Sequence, residues 1–276
     1  MVGPVERKEC AQWAVETRKI AQHKACQWFG MSVSAYRYES KRSNEDDQIG
    51  EILLRLTQAD ADWGFELCFL HMRNVLGMRW NHKRVYRVYK ALRLNLRIKP
   101  KRRLDREVPE KLSVPNLPNQ TWSIDFMSDN LSDGRSLRSL NVLDDFNREA
   151  LCAEIDLSLP SERVIESLER IIEWRGKPSQ IRCDNGPEYV SARIKGWADN
   201  RGIVLRHIQP GKPQQNAYIE RYNRTMRGGF FNRHVFESVE QAQDLATQWI
   251  WRYNHLRPHM ALGGFTPKQI YLKTMH

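Results

Sequence analysis

The sequence between Asn119 and Leu157 reads NQTWSIDFMSDNLSDGRSLRSLNVLDDFNREALCAEIDL. Residues that favour strands are concentrated in three runs of it, at Trp122–Phe126, Ser139–Phe146 and Ala150–Leu157. Asp133-Gly134 lies between the first two runs and is typical of a hairpin turn. The stretch therefore predicts three consecutive antiparallel strands.

Helices and strands alternate after this stretch. Pro160-Ser161 predicts the start of a helix that ends near Trp174, with Ser161 as its cap. Three antiparallel strands followed by this alternation predict a mixed α/β fold. The buried side of the helix is expected to consist of Val164, Leu168, Ile171 and Ile172. The further elements are expected to be strands at Ser179–Cys183 and Ile203–Ile208 and helices at Ser191–Asn200, from Asn216, and at Val239–His255.

The first 42 residues predict three short helices, at about 5–20, 21–29 and 33–38. Gly30 interrupts the pattern, and Ser32 is the expected cap of the third helix. A helix, a tight glycine turn and a short helix form the layout of a helix-turn-helix motif. The pattern is compatible both with DNA reading and with a plain helical hairpin.

A second helical group is expected after a polar break. Asn81 is a good N-cap for its third helix, in which Val85, Val88 and Leu92 share one face and are expected to reach a core. The three helices are predicted at Ile49–Leu56, Phe65–Leu76 and Asn81–Leu92.

Composition divides the chain into four segments. A stretch with Pro109, Pro115 and Pro118 cannot sustain a helix and indicates a linker. The expected segments are a helix-turn-helix-like region at 1–42, a second helical group with a basic tail at 43–106, the linker at 107–118, and the α/β core with its C-terminal helix at 119–276.

The positive charge of the chain is local. The formal net charge is +11, with 44 Lys and Arg against 33 Asp and Glu, and residues 71–106 hold 13 of these bases but only one of these acids. Such a block predicts a surface that binds a polyanion. A solvated helix face followed by a basic linker would show the same pattern. The candidate DNA-contacting residues in this block are Arg84, Arg87, Lys101, Arg102 and Arg103.

Composition also excludes several classes of protein. No apolar run approaches the roughly 18 residues that a membrane span needs, and the charged residues at 6–9 do not resemble a signal peptide. Five scattered cysteines without a Cys-x-x-Cys pair indicate a reducing compartment. His23-x-x-Cys26 and Cys68-x-x-His71 lack the order and spacing of paired zinc ligands. We therefore expect a cytoplasmic protein with no membrane partner.

Three acidic residues stand out by their positions. Asp125 lies inside the first predicted strand, Asp184 follows the fourth, and Glu220 lies on the helix that begins near Asn216. Clustered carboxylates repel one another, so a cluster of the three needs a cation, and hard oxygen ligands suit Mg²⁺ or Mn²⁺. Two such ions can drive phosphodiester chemistry. Taken singly, each acid is more typical of an ordinary loop residue or ion pair.

Five longer motifs follow one another around these acids. They are Trp122-Ser-Ile-Asp-Phe126, Asp144-Asp-Phe-Asn-Arg-Glu149, Cys183-Asp-Asn-Gly-Pro-Glu188, Pro210-Gly-Lys-Pro-Gln-Gln-Asn-Ala-Tyr-Ile-Glu-Arg-Tyr-Asn223 and Tyr253-Asn-His-Leu-Arg-Pro-His259. Between Asp184 and Glu220 lie 35 residues, the D,D(35)E spacing of the DDE transposase and retroviral-integrase superfamily. The chain resembles the integrase core of insertion-sequence transposases, in particular the OrfB product of elements whose full transposase is a frameshifted fusion. The resemblance spans about 119–271 and is looser over the N-terminal helices.

The resemblance implies an RNase H-like core in which Asp125, Asp184 and Glu220 are catalytic and hold Mg²⁺ or Mn²⁺, with two ions expected. It also implies a basic residue two turns after the glutamate, here Arg227, and Arg224 shares that helix face. Both arginines are candidate DNA contacts. The implied reaction is hydrolysis of a phosphodiester at the element end, followed by attack of the resulting 3′-OH on target DNA.

The resemblance also implies partners. These are double-stranded DNA at the terminal inverted repeats and in the target, further copies of the chain on that DNA, and the upstream-frame product OrfA, either separate or fused. The implied location is the bacterial cytoplasm at the nucleoid.

Two other functions are compatible with the sequence. A DNA-binding regulator or inactive partner of a fused transposase would bind DNA through the basic block without cutting it. A non-transposing RNase H-like nuclease would cut DNA without joining it. Asp144 and Asp145 are interpreted as structural because the acidic triad is complete without them. Cys183 is interpreted as a packing residue because the reaction needs no protein nucleophile.

Overall fold

The computed structural model describes residues 3–38, 44–96, 112, 114–209 and 213–275. Contacts divide the chain into two compact units, Met1–Gln48 and Ile49–His276. Lys101, Arg102 and Arg103, which the sequence predicts to bind DNA, lie outside the described residues. No helix in the described part is both long and apolar enough to span a membrane.

The first unit is helical throughout its regular structure, as predicted. Ala11, Ala14 and Ala25 form its small buried core. The Ser32 hydroxyl accepts a hydrogen bond from the Ala35 amide at 3.1 Å, which confirms the predicted cap of the third helix. The helices are α1 (Pro4–Arg18), α2 (Gln22–Trp28) and α3 (Val33–Arg37).

The second helical group has an apolar cluster of its own. The Asn81 side chain accepts a hydrogen bond from the Lys83 amide at 2.8 Å, so the predicted N-cap is confirmed. Val85 is buried, and Val88 and Leu92 pack against the same cluster, so the predicted apolar face is confirmed as well. The helices are α4 (Asn44–Ala59), α5 (Phe65–Asn74) and α6 (His82–Ala91).

A five-stranded mixed sheet forms the centre of the larger unit. Its strands lie in the order β3-β2-β1-β4-β5, and all five were predicted. β1, β2 and β3 are antiparallel neighbours, whereas β4 and β5 run parallel to β1. Gly134 in the predicted hairpin turn has a φ of +87°, which favours glycine. The strands are β1 (Thr121–Asn130), β2 (Ser136–Asp144), β3 (Ala150–Asp156), β4 (Gln180–Cys183) and β5 (Val204–His207).

Helices cover both faces of this sheet because successive strand residues point to opposite sides. α10 (Ala217–Gly229) and α11 (Val239–His255) share one apolar cluster with the sheet. α7 (Ser161–Arg175) and α9 (Ala192–Arg201) share a separate cluster, which contains the predicted buried side of α7. Two short helices, α8 (Pro187–Val190) and α12 (Pro267–Met275), are the remaining described α-helices of the core.

The prediction that Ser161 caps α7 is wrong. Pro160 occupies the cap position and makes no side-chain cap hydrogen bond. The Ser161 hydroxyl instead donates to the Glu188 carbonyl at 3.0 Å and lies 2.8 Å from the Ser191 hydroxyl. The local sequence pattern assigns the Ser161 hydroxyl to the first amides of α7, but residues distant in sequence bind it instead.

Side-chain amides of α11 cover the edge strand β3. Gln243 accepts from the Ile155 amide at 2.7 Å and donates to the Ala153 carbonyl at 3.1 Å. Asn254 accepts from and donates to the backbone of Ala150 at 2.9 and 2.8 Å. These amides satisfy backbone groups that an uncovered edge would leave open for pairing with another chain.

Buried ion pairs hold the turn after β2. The Arg175 guanidinium lies 2.7 Å from Glu149 and 3.5 Å from Asp144, and all three side chains are almost fully shielded from solvent. Arg182 donates to the buried Asp145 at 2.7 Å. Asp144 and Asp145 thus both have structural partners inside the protein.

His259 lies in a positively charged part of this core. Burial, followed by the charges of Arg257, Arg148 and Arg221, lowers the pKa of His259 to about 3. The imidazole is therefore neutral in the folded protein at neutral pH.

This histidine is expected to make the fold acid-sensitive. Its pKa falls from an ordinary value of 6.5 to about 3 on folding, so the stability it contributes is present above pH 6.5 and is lost as the pH falls towards 3. At about pH 5 the free energy of unfolding is expected to be lower by on the order of 2 kcal/mol than above pH 6.5. Urea unfolding of the wild type and of His259→Gln at several pH values measures it. An equal pH dependence of the unfolding free energy in both proteins would contradict the assignment.

Candidate active site

Strand register places Asp125 beside Asp184. β1 and β4 run parallel, and Ser123 opposite Arg182 is the last of their registered pairs. The same register carried two residues further aligns Asp125 with Asp184. The carboxylate of Asp125 in β1 and that of Asp184, the residue after β4, therefore lie where the two strands stop pairing, which is where ligands gather in open α/β sheets.

A tight turn orients Asp184. Its carboxylate accepts a hydrogen bond from the Gly186 amide at 2.9 Å, and the Asn185 side chain donates to the Ile208 carbonyl at 3.0 Å. His207 Nδ1 lies 3.1 Å from the Asp184 carbonyl oxygen. The loop is thus fixed both internally and to the end of β5.

α10 brings Glu220 to the same sheet. Asn216, at its N-terminus, donates to the Ile124 carbonyl of β1 at 3.4 Å. Ile219, Tyr222 and Met226 form its buried face. Glu220 itself is exposed, so it is available to a ligand outside the core.

A chain of polar side chains ends on Asp125. Asn141 lies opposite Asp125 in the antiparallel β1–β2 pair, so both side chains are on one face. Ser139 donates to Asn141 at 2.9 Å, Asn141 donates to Asn223 at 2.8 Å, and Asn223 donates to Asp125 at 2.8 Å. The Phe126 amide donates to the other carboxylate oxygen at 2.9 Å. Asp125 is therefore held at both oxygens.

Asp184 and Glu220 both act electrostatically on Asp125. Burial is the main cause that raises the pKa of Asp125 to about 6, and the charges of Asp184 and Glu220 act in the same direction. Hydrogen bonds from the Phe126 amide and Asn223 oppose this rise. Within the described ranges, however, no three Asp, Glu, His or Cys side chains form a group that could hold a metal ion as they stand.

The basic residues predicted around this site have different surroundings. Arg224 is exposed and makes no ion pair with any described residue. Arg227 pairs with Asp129 and donates to the Ser128 carbonyl, both on β1. In the second helical group, Arg87 is exposed and Arg84 is partly exposed on α6.

Asn141 and Asn223 were not among the site residues predicted from the sequence. Asn223 follows Glu220 by three residues on α10, so helical spacing alone could have placed it beside the acid. Asn141 could have been found only through the register of the β1–β2 hairpin, which aligns it with Asp125.

Comparison with protein families finds the integrase core domain. One family model of that description matches residues 115–213, and a second matches residues 201–267. Together the two matches cover the sheet, the turn that carries Asp184, α10 and α11.

Insertion-element proteins match along most of the chain. It is 35% identical over 258 residues to the insertion element IS407 uncharacterized 31.7 kDa protein of Burkholderia multivorans, which covers 94% of this chain and 93% of that protein. It is 32% identical over 273 residues to the insertion element IS476 uncharacterized 39.2 kDa protein of Xanthomonas euvesicatoria, covering 97% and 77%. It is 25% identical over 253 residues to the putative transposase InsK for IS150 of Escherichia coli, covering 85% and 87%.

A solved structure shares the fold. The similarity is to a chain in the cryo-EM structure of the simian T-cell lymphotropic virus intasome in complex with PP2A regulatory subunit B56 gamma. The TM-score is 0.51 at 21% identity, and 81% of this chain and 74% of that chain are covered. The likeness confirms the predicted RNase H-like, mixed-sheet core.

Proposed function

The chain belongs to the integrase-core family of insertion-element transposases, and we propose that Asp125, Asp184 and Glu220 are the catalytic residues with which it cuts element ends and joins them to target DNA. The supporting observation is the convergence of the acids: strand register aligns Asp125 with Asp184, and the charges of Asp184 and of Glu220 on α10 both act on Asp125. Such a group is unfavourable without a cation and suits a reaction that uses one.

The proposed cofactor is Mg²⁺ or Mn²⁺, with two ions at the three acids. Hard carboxylate oxygens are the ligands that these ions prefer, and a bound cation would offset both the burial and the repulsion from Asp184 and Glu220 that raise the pKa of Asp125. Asp125, Asp184 and Glu220 would hold the ions, and the described side chains do not form a complete ligand group as they stand. Bound ions of this kind activate an attacking oxygen and stabilise a leaving oxygen.

The chain's own residues position this chemistry. Asn223 and the Phe126 amide orient Asp125, and the Gly186 amide orients Asp184. No protein nucleophile is required. Cys183 precedes Asp184, but it is buried and burial raises the pKa of its thiol to about 12, so it stays protonated.

DNA binding is proposed for the positively charged block and for α10. Arg84, Arg87 and Arg224 carry their charges on exposed or partly exposed positions. Arg227 already has partners on β1, so a phosphate contact would have to share or replace them. Lys101, Arg102 and Arg103 are proposed to contact DNA on the basis of their charge alone.

The domain and partner assignments are also proposals. We propose the functional segments 1–42, 43–106, 107–118 and 119–276, with a helix-turn-helix-like region in the first. Double-stranded DNA in the bacterial nucleoid, further copies of this chain and OrfA are the proposed partners. Their common basis is the family to which the chain belongs.

Strand chemistry on defined DNA tests this function. The wild-type chain, with and without OrfA, is incubated with labelled terminal inverted repeats, target plasmid and Mg²⁺. We expect nicking at the repeat end and joined products, neither of which forms in EDTA. DNA binding without either product would favour the regulator, and nicking without joining would favour a plain nuclease.

Gly186→Ala is expected to slow cleavage about 10-fold, because small displacements of reacting groups are costly. A Cβ atom at this position would lie 3.0 Å from the Asp184 carboxylate and 3.2 Å from the Glu188 carboxylate, so at least one carboxylate must move. The φ of −60° allows alanine, so the fold should tolerate the change. Single-turnover cleavage and thermal unfolding measure the two effects.

Gly196→Ala is the matched control. Gly196 lies within α9, and a Cβ atom added there would meet no described atom within 4 Å outside its own stretch of helix. The substitution is expected to stabilise the helix by about 0.5–1 kcal/mol and to leave the cleavage rate unchanged. Equal rates for both alanine variants would show that the Asp184 turn does not need glycine for catalysis.

A further inference from the structure

One cavity in the larger unit is lined by residues from two of the sequence motifs, and neither motif contains any of the three proposed catalytic acids. Its volume is about 250 Å³. The segment Asp144–Glu149 contributes Arg148, and the segment Tyr253–His259 contributes Arg257 and His259. α10 contributes Arg221 and Tyr222 to the same lining. Residues far apart in sequence thus converge on one space.

Three arginines line this cavity and act electrostatically on His259, which lines it too. Arg257, Arg148 and Arg221 all oppose protonation of His259. Carboxylates paired with these three arginines would reduce the positive charge. Among the described residues, the three arginines form only one ion pair, between Arg257 and Asp62 at 3.5 Å. The cavity is therefore positively charged.

The other contacts of the arginines leave room for a ligand. The Arg148 guanidinium stacks 3.5 Å from the centre of the Tyr218 ring and donates to the Phe146 carbonyl at 3.4 Å. Arg221 is exposed and forms no ion pair with any described residue. One arginine is thus fixed in place and another reaches solvent at the same cavity.

Two residues that line the cavity each have one shielded polar atom without a partner among the described residues. These are Nε2 of His259 and the hydroxyl of Tyr222, whose side chain is 1% exposed. Buried polar atoms are almost always hydrogen-bonded in folded proteins. Neither atom has surface that a water molecule can reach, so the guanidinium groups, and not these two atoms, are the donors that the cavity offers to a ligand.

We propose that this cavity is a phosphate-binding site that holds a phosphodiester group of a DNA strand. Arg148, Arg221 and Arg257 supply both the positive charge and the hydrogen bonds. The planar guanidinium group can donate two hydrogen bonds to two phosphate oxygens at once, which the compact ammonium group of lysine does not match.

This inference rests on the proposed function, because DNA is the substrate of that function. Arg221 directly follows Glu220 on α10, so one helix links the cavity to the proposed catalytic acids. The site would therefore fix a strand in register with those acids, a positioning role.

Salt-dependent DNA binding tests the proposal. The full chain is titrated in EDTA with a labelled duplex of about 20 base pairs, at several salt concentrations, as the wild type, as Arg221→Gln and as Arg148→Gln/Arg221→Gln. The plot of log K against log salt has a negative slope, and its magnitude is expected to decrease by about one for each arginine removed. Lys195→Gln, an exposed lysine on α9, is the charge-matched control and should keep the wild-type slope.

A second arm uses inorganic phosphate alone. Its binding is followed by the imidazole NMR signals of His259, which should shift in the wild type and not in Arg221→Gln. Phosphate binding with unchanged DNA slopes would mean that the site takes a free anion and would overturn the assignment to DNA. Unchanged slopes without phosphate binding would overturn the site itself.

Two controls separate this proposal from the others. Thermal unfolding shows whether each variant is folded, and Arg221→Gln keeps the test valid if the double variant is not. Wild-type cleavage in Mg²⁺ together with unchanged salt slopes would overturn only the phosphate site. Reduced slopes without any wild-type cleavage would support the phosphate site and overturn the proposed catalysis.

Discussion

Asp184→Asn is expected to abolish DNA cleavage and strand transfer. The rate should fall on the order of 10³-fold or more, about 4 kcal/mol in activation free energy, because the amide cannot supply an anionic oxygen to a divalent ion. Asparagine has nearly the same shape, and its carbonyl oxygen can still accept the Gly186 hydrogen bond. Single-turnover cleavage of labelled element ends in Mg²⁺ measures the loss, and Glu220→Gln should behave in the same way.

A matched acid-to-amide change separates this effect from a general loss of charge. Asp199→Asn alters an exposed acid on α9 and should leave cleavage within about 2-fold of the wild type, as surface substitutions usually do. Asp184→Asn should bind the same duplex in EDTA as tightly as the wild type does. Cleavage by Asp184→Asn at the wild-type rate would remove Asp184 from the catalytic residues.

Arg175→Met is expected to cause the largest loss of stability among the substitutions considered for the core. The Arg175 side chain is 1% exposed and pairs with Asp144 and Glu149, which are 0% and 4% exposed. Its guanidinium also stacks on Tyr271 of α12 at 3.7 Å. Removing the guanidinium leaves two buried acids without its opposite charge, which lowers the free energy of unfolding by about 3–5 kcal/mol. The free energy of unfolding in urea measures it.

Arg201→Met provides the comparison at the surface. Arg201 also pairs with a glutamate, Glu169 at 2.6 Å, but its side chain is 50% exposed. Solvent screens such a pair, so its loss should cost no more than about 1 kcal/mol. Equal losses for the two arginines would show that burial does not determine the strength of the Arg175 pairs.

The strands and the positions of Asp125 and Asp184 along the chain could be predicted from sequence because their signals are local. Each strand contains apolar or β-branched residues that favour strands, and the Asp-Gly turn joins the first two. The placement of Asp125 beside Asp184 needs only the adjacency of β1 and β4, which the likeness to a known family implied. Ser161 was assigned wrongly because its hydroxyl bonds to residues of another helix, which a local pattern does not reveal.

The surroundings of the arginines could not be predicted from spacing. Helical periodicity places Arg227 on the face of Glu220, but it does not show that Asp129 of β1 lies within reach. Arg148, Arg221 and Arg257 come together at His259 only when α10, the turn after β2 and the end of α11 pack against one another. Such contacts depend on tertiary structure.

The most direct test of the catalytic assignment is anomalous diffraction from crystals of the protein soaked in Mn²⁺. The proposed function predicts anomalous peaks within bonding distance of carboxylate oxygens from Asp125, Asp184 and Glu220, and no such peaks in crystals of Asp184→Asn. Mn²⁺ peaks at other residues, with none at these three acids in protein that cleaves DNA, would contradict it.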